Sequence, residues 1–280
     1  MTKKWIFPAL PGAILIVLAT IVVTFLVGFL LHRVGPILGL RLTETSLLGI
    51  TNTLSIGAVA LTGWYFTGRS FREVFSIRKA NIPESLAVLL TCIGWTITIS
   101  EIDNLFSLAL PKPDFILEML NRLFSDEDLL GTSIALMVVA PFTEEFLFRG
   151  LIWNGLRGNY SFIKAALWTS LLFGILHLNP WQFIGAGIVG FYFAWLLENT
   201  GSLAQPILAH MVFNGFPIFV KFGLGIQING YTGESMQNGL LQPLWLDCMG
   251  VTITVVGIAI SIFLFRKRER QASHFSTNYL

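Results

Sequence analysis

Residues 138–157, VVAPFTEEFLFRGLIWNGLR, carry Glu144, Glu145 and Arg149 inside a run that is otherwise mostly apolar and aromatic. Ionisable groups in such a run are costly in lipid. They are tolerated when they pair, face a bundle interior or line a wet cavity. Glu145 and Arg149 are four apart, so on a helix they share a face and can pair. Glu144 points about 100° away and is left free for another task. Two histidines follow on later apolar runs. His177 closes LLFGILHLNP, and His210 lies in GSLAQPILAHMVFNG with Asn214 four residues on, on the same helical face. A carboxylate and an imidazole at one level can activate a water. A second imidazole with an amide N–H can donate to a developing oxyanion. That set suits hydrolysis of a carbonyl compound, with a peptide bond the obvious candidate. The same residues also allow a metal site: Glu144, His177 and His210 would be a His₂Glu zinc set with an open position, although no HExxH spacing supports it. A proton or ion pathway is a third reading. Against it, the polar groups gather in one patch and the chain has no repeat halves.

The elements that must position these residues are membrane helices. The chain has 280 residues, 54% hydrophobic and 12% charged, with 24 Phe and 8 Trp; mean hydropathy is +0.71. A soluble domain carries about 25% charged residues, so the composition is that of an all-α, polytopic membrane bundle. The net charge of +2 gives no nucleic-acid footprint. Apolar runs predict eight helices: 10–31, 46–66, 84–110, 131–157, 162–178, 181–198, 202–222 and 243–265. An amphipathic helix is predicted near 114–124, beside the acidic cluster Asp126, Glu127 and Asp128. An exposed loop is predicted over 223–242. The apolar run after Lys3 and Lys4 lacks a clear cleavage site and reads as a retained helix. No second domain is visible. Residues 1–120 read as helices 1–3 plus a polar loop, 121–222 as the core that carries the chemistry, and 223–280 as a loop, helix 8 and a basic tail.

With eight spans both termini share a side. That side holds Lys3, Lys4, Arg69, Arg72, Arg78, Lys79, Arg157, Lys164, Arg266, Lys267, Arg268 and Arg270, 12 in all; the other holds Arg33, Arg41, Lys112, Arg122 and Lys221, which is 5. The excess puts both termini in the cytoplasm. The polar turn 158–161 between helices 4 and 5 is centred between Glu144 and His177, so a hairpin there brings them level. Ser202 and Gln205 read as a capping box for helix 7. Pro141 removes the donor for the Met137 carbonyl and kinks helix 4. Glu101 and Asp103 either face the same cavity or mark the end of helix 3 near Ser100, the favoured reading. Glu198 reads as interfacial, His32 and His274 as interfacial or solvated, Cys92 and Cys248 as core. Gly185, Gly187 and Gly190 form a small-residue packing surface.

The segments EEFLFR (144–149), FGILH (173–177) and GSLAQPILAHMVFN (201–214) resemble the three motifs of the CPBP family, the CAAX-processing and bacteriocin-processing (Abi) intramembrane proteases. The pattern is Glu-Glu-x-x-x-Arg, Phe-x-x-x-His and His-x-x-x-Asn, and the resemblance covers roughly 125–220. It implies a membrane-embedded endopeptidase acting on a membrane-associated protein or peptide substrate, with prenylated and leader-bearing substrates both left open; the compact chain points to a prokaryote. Glu144 and His177 would activate the water, His210 and Asn214 would form the oxyanion hole, and Glu145 with Arg149 would hold helix 4. The resemblance leaves zinc dependence open; the His210–Asn214 donor pair favours a metal-free site with no cofactor. Some relatives are linked to bacteriocin immunity, so a non-enzymatic immunity or scaffold protein of the same fold is the alternative. Oligomeric state is not readable from the residues.

Overall fold

The computed structural model describes residues 6–40, 42–123, 128–232 and 240–277. Lys3, Lys4, Arg41, Asp126, Glu127 and the side chain of His274 lie outside the described residues. The described chain is helical throughout: α1 (Leu10–Val34), α2 (Glu44–Thr67), the short α3 (Phe71–Val74), α4 (Ile82–Ala109) and α5 (Asp114–Leu123) come first. The segment Leu129–Asn159 runs on as α6 (Leu129–Ile134), a π-helical stretch Ala135–Val139, α7 (Ala140–Glu145), a second π stretch Phe146–Ile152 and α8 (Trp153–Asn159). Then come α9 (Phe162–Leu176), α10 (Pro180–Thr200), α11 (Ala204–Ile218), which continues in π geometry over Phe219–Gly223, and α12 (Leu244–Thr277). Six of these helical segments are long and apolar enough to cross a membrane: Leu10–Val34, Glu44–Thr67, Ile82–Ala109, Leu129–Asn159, Pro180–Thr200 and Leu244–Gln271. The protein is a polytopic membrane bundle. The other two predicted spans are formed as helices, α9 and α11, but α9 is only 15 residues long.

Local sequence sets the boundaries. Thr43, Asn81 and Asn179 each accept a backbone N–H at the start of α2, α4 and α10, as short polar side chains do at N-caps. Gly68 and Gly201 end α2 and α10 at φ 65° and 62°, which a residue with a Cβ rarely adopts. Large apolar side chains face outward along α1 and α12, Phe25 and Phe263 among them. In a membrane that face meets acyl chains. α4 and α12 approach through small residues: a Cβ on Gly94 would lie 2.4 Å from the Thr254 backbone nitrogen, and one on Gly257 would lie 2.8 Å from Thr91 backbone atoms.

Contacts at the helix ends define two poles. The ends of α2, α8 and α10 meet the starts of α4 and α11: Asn154 donates to the Val74 carbonyl at 2.9 Å, and Arg78 N–H donates to Ser202 Oγ at 2.9 Å. Ile6 hydrogen-bonds Asn159, and Arg268 pairs with Glu84 at 2.6 Å. Both ends of the described chain therefore lie at this pole. At the opposite pole Asp128 accepts from Thr43, Thr45 and the Gly131 N–H. It joins the starts of α2 and α6.

Several expectations change. α4 does not stop near Ser100 but runs to Ala109. Glu101 accepts from Asn104 and from the Gln242 N–H, and Asp103 pairs with Lys112 at 2.8 Å. The polar side chains thus satisfy each other and the following loop, and the helix continues. That loop is not simply exposed. Tyr231, Thr232 and Gln242 are buried, because Ser100 and Asn104 donate to the Gly230 carbonyl and Thr96 pairs with the Tyr231 hydroxyl. Cys92 is buried but Cys248 is exposed, on the outward side of α12. No capping box forms at Ser202: Leu203 is the N-cap of α11, and Ser202 Oγ is engaged by Arg78. Glu198 pairs with Arg157 at 2.8 Å.

Gly94→Ala is expected to destabilise the protein by about 1–3 kcal/mol, the usual cost of overpacking, because backbone atoms of α12 block the new methyl. At Gly187 an added methyl would have nothing within 4 Å, so alanine is tolerated there. Equal thermal midpoints for the two variants in detergent would contradict this account. The hydrogen bonds from Thr45, Thr43 and Gly131 hold the Asp128 carboxyl below the usual Asp range. A depressed folded pKa stabilises above the unfolded value of about 3.9 and is lost as pH falls through the folded one. The gap in thermal midpoint between wild type and Asp128→Ala should therefore be full at neutral pH and narrow below about pH 4; a gap independent of pH would contradict it.

Candidate active site

Helix geometry around the glutamates departs from the α form on both sides. Over Ala135–Val139 the ladder is wound i→i+5, and the Ala140 N–H donates to the Ala135 carbonyl. The Leu136 carbonyl then has no helical donor. Its α partner, Ala140, is committed elsewhere, and its π partner is Pro141, which has no N–H. Asn214 Nδ2 donates to that carbonyl at 2.9 Å. Pro141 and the π register thus leave the Leu136 carbonyl to Asn214. Short π stretches inside α-helices recur at functional sites. Here they flank α7, which carries Glu144 and Glu145.

Glu145 and Arg149 are both 0% exposed and pair at 3.2 Å. Glu145 Oε1 also meets His210 Nδ1 at 2.9 Å. A carboxylate accepting from a guanidinium leaves the imidazole as donor, so His210 carries a hydrogen on Nδ1. Arg149 Nη2 donates to the Gly190 carbonyl at 2.9 Å. Its guanidinium stands 4.5 Å over the Phe173 ring and 5.3 Å from the Phe193 ring, within the range where a cation is attracted to a ring face. A Cβ on Gly190 would come within 3.2 Å of both Arg149 Nη2 and Phe173, so the glycine leaves room for the cation.

Glu144 is 8% exposed, and its Oε2 has no hydrogen-bond donor. That oxygen faces His210 Nε2 at 3.9 Å, too far for a hydrogen bond. Among the described residues the imidazole at ion-pair range from Glu144 is His210, not His177. His177 sits at the end of α9 with Nδ1 2.9 Å from the Phe173 carbonyl. A carbonyl only accepts, so Nδ1 holds the hydrogen and Nε2 presents its lone pair. The next residue, Leu178, has φ 51°, a conformation that costs a non-glycine residue about 1–3 kcal/mol. Asn179 then caps α10. Both imidazoles lie edge-on to Phe173, with centroids at 5.1 Å for His177 and 5.8 Å for His210.

The structure therefore joins Glu144, Glu145, Arg149, His210 and Phe173 into one buried cluster, with His177 also in ring contact with Phe173. Asn214, one turn beyond His210, has one amide hydrogen on Leu136 and a second free of that bond. Among the described residues no three of His, Cys, Asp and Glu are arranged to hold a metal ion. Glu144, His177 and His210 are thus not gathered as a zinc set. Sequence reasoning missed three parts. The Gly190 carbonyl gave no signal beyond small-residue packing, the Leu136 carbonyl is hidden by the register change, and Phe173 was visible only as the first letter of its motif.

A polytopic helical membrane protein with a buried carboxylate–imidazole cluster is the class this geometry defines. Residues 126–216, the segment that holds the cluster, match the family described as Type II CAAX prenyl endopeptidase Rce1-like. Three curated proteins are similar to parts of the chain. YdiL of Bacillus subtilis (strain 168), which carries a membrane-peptidase name, is 33% identical over 84 residues, 30% of this chain and 34% of YdiL. An uncharacterized 24.3 kDa protein of Escherichia coli is 33% identical over 113 residues, 38% of this chain and 50% of that protein. The membrane-embedded CAAX protease MroQ of Staphylococcus aureus (strain USA300) is 35% identical over 94 residues, 30% of this chain and 36% of MroQ. The matches span a third to a half of these relatives.

Glu145→Gln leaves Arg149 buried without its counter-ion and is expected to cost about 3–5 kcal/mol. A thermal midpoint matching wild type in the same detergent would show that the Gly190 carbonyl and the aromatic rings suffice to hold the cation.

Proposed function

We propose that this chain is a membrane-embedded endopeptidase of the CAAX type, hydrolysing a peptide bond of a membrane-associated substrate, prenylated or leader-bearing. It crosses the membrane eight times with both termini in the cytoplasm; the shared pole of the two chain ends and the excess of Lys and Arg on that side support this. The observation that carries the reading is Glu144: a buried carboxylate that, unlike Glu145 with its Oε1 bonded to Arg149 and His210, accepts no side-chain hydrogen bond among the described residues, inside the segment that matches the endopeptidase family.

The proposed chemistry uses this chain's own groups. Water attacks the scissile carbonyl carbon as Glu144 takes its proton, and His177, with its Nε2 lone pair available, orients or accepts from the same water. The carbonyl oxygen becomes an oxyanion, held by the free hydrogen of Asn214 Nδ2 and by His210. For His210 to donate there, Nε2 must carry a hydrogen in addition to the one on Nδ1. That is the imidazolium, with Glu145 as its counter-charge. Glu144 then returns the proton to the amide nitrogen as the C–N bond breaks. Burial of the cluster strengthens each of these interactions by excluding water. Glu145 and Arg149 position His210 and do not touch the substrate.

Glu144→Gln keeps the volume but cannot take the proton, so cleavage should fall by about 100-fold or more while the thermal midpoint stays near that of wild type. New protein N-termini in membranes from cells expressing wild type or the variant at equal levels report the activity and name the substrate. Identical sets of N-termini, with the variant still rescuing a deletion strain, would transfer the chain to the immunity or scaffold reading.

A further inference from the structure

At the pole where the ends of α2, α8 and α10 meet the starts of α4 and α11, the fold forms an open recess of about 420 Å³. Four arginines contribute to its lining: Arg69, Arg78, Arg149 and Arg157. Its two carboxylates are already engaged. Glu198 takes three hydrogen bonds from Arg157 at 2.8–3.1 Å. Glu73 accepts from the Ser70 N–H and Oγ, both at 2.8 Å, and so caps α3. Among the described residues neither Arg69 nor Arg78 has a side-chain hydrogen bond or an ion pair. The wall is therefore left with two guanidiniums lacking acceptors.

The recess is a built feature of the fold. The Arg69 carbonyl accepts from Trp64 Nε1 at 2.9 Å. The Arg78 backbone is tied to Ser202 in both directions, and the Leu203 N–H donates to the Ser76 carbonyl at 2.8 Å. Both arginines thus project from a fixed backbone. At the inner end lies Arg149, 0% exposed, whose Nε has no acceptor.

We infer that this recess is an anion-binding site that takes the phosphate of an anionic phospholipid headgroup. Guanidiniums match phosphate in a forked geometry, and the recess lies at the helix ends, the depth of headgroups on the lysine- and arginine-rich side. Arg149 belongs both to this site and to the Glu145–His210 cluster, so a bound headgroup would brace that cluster from behind. The inference is independent of the proteolytic reading, since binding is measured without turnover.

The test uses the full chain purified in detergent and native mass spectrometry with added phosphatidylglycerol, phosphatidylcholine or inorganic phosphate. Phosphatidylglycerol should be retained over phosphatidylcholine. R69Q/R78Q should lose roughly tenfold or more in apparent affinity, on the scale of two basic residues' attraction to an anionic surface. R69K/R78K keeps the charge and should retain most of the binding. R33Q, at the opposite pole, should leave it unchanged. Thermal midpoints confirm that the variants are folded, as expected for exposed arginines without protein partners. Unaltered phosphatidylglycerol binding by R69Q/R78Q overturns the inference. Binding of inorganic phosphate with no preference between the two lipids also overturns the lipid assignment and gives the recess to a free phosphate.

Discussion

The bundle is organised around a cation it has to neutralise. Arg149 is wholly buried, and a buried guanidinium without partners is far costlier than its pairing is favourable. Its surroundings follow from that constraint. Glu145 supplies the counter-charge one turn earlier, Gly190 supplies a carbonyl by having no side chain in the way, and Phe173 and Phe193 supply ring faces. Four elements, α7, the π stretch after it, α9 and α10, are thereby fixed to one point. The carboxylate that neutralises Arg149 also holds His210, so the placement of an imidazole on α11 depends on the same ion pair.

This arrangement separates two adjacent glutamates that are chemically identical. Glu145 has its charge used by the scaffold on one oxygen, from two sides. Glu144, one residue away, lies on a different face of the same turn and accepts no side-chain hydrogen bond among the described residues, although each glutamate keeps one buried oxygen without a donor. The separation comes from the helical rotation between successive residues together with the hydrogen bonds that Arg149 and His210 make to Glu145 and not to Glu144. The π stretches on either side belong to the same logic. Pro141 would leave a bare carbonyl in an apolar environment, and the change of register hands that carbonyl to Asn214, tying α11 to α6–α7 a second time. His210 and Asn214, one turn apart on one face, are thus both anchored to the segment that carries the glutamates.

The recess at the arginine-rich pole extends this picture outward. Arg149 contributes to the same lining as Arg69, Arg78 and Arg157, of which Arg157 is paired with Glu198. The cation that organises the bundle therefore lies between the candidate chemistry and the surface that would meet the headgroups.

Much of this was legible in the chain itself. The apolar runs that become helices follow from hydropathy, because lipid requires every backbone group to be satisfied within its own helix; the capping box read at Ser202 does not form, and the last helix runs past the predicted 265 to Thr277. The Glu145–Arg149 pair follows from a spacing of four, and the family resemblance from three short motifs now enclosed by the match over 126–216. What the sequence could not determine lies where groups distant in the chain compete for the same atom. It gives no sign that His210 goes to Glu145 while facing Glu144, since that depends on how α11 is rotated against α7. Gly190 and Leu136 act through carbonyls, which every residue has, so only the backbone's path selects them. Glu101 and Asp103 looked like a helix end because charge in an apolar helix is costly. The tertiary structure supplies Gln242, Asn104 and Lys112 as partners, and the helix runs on. Composition and spacing determine what must be buried and what can pair; the packing of the helices decides which partner each buried group receives.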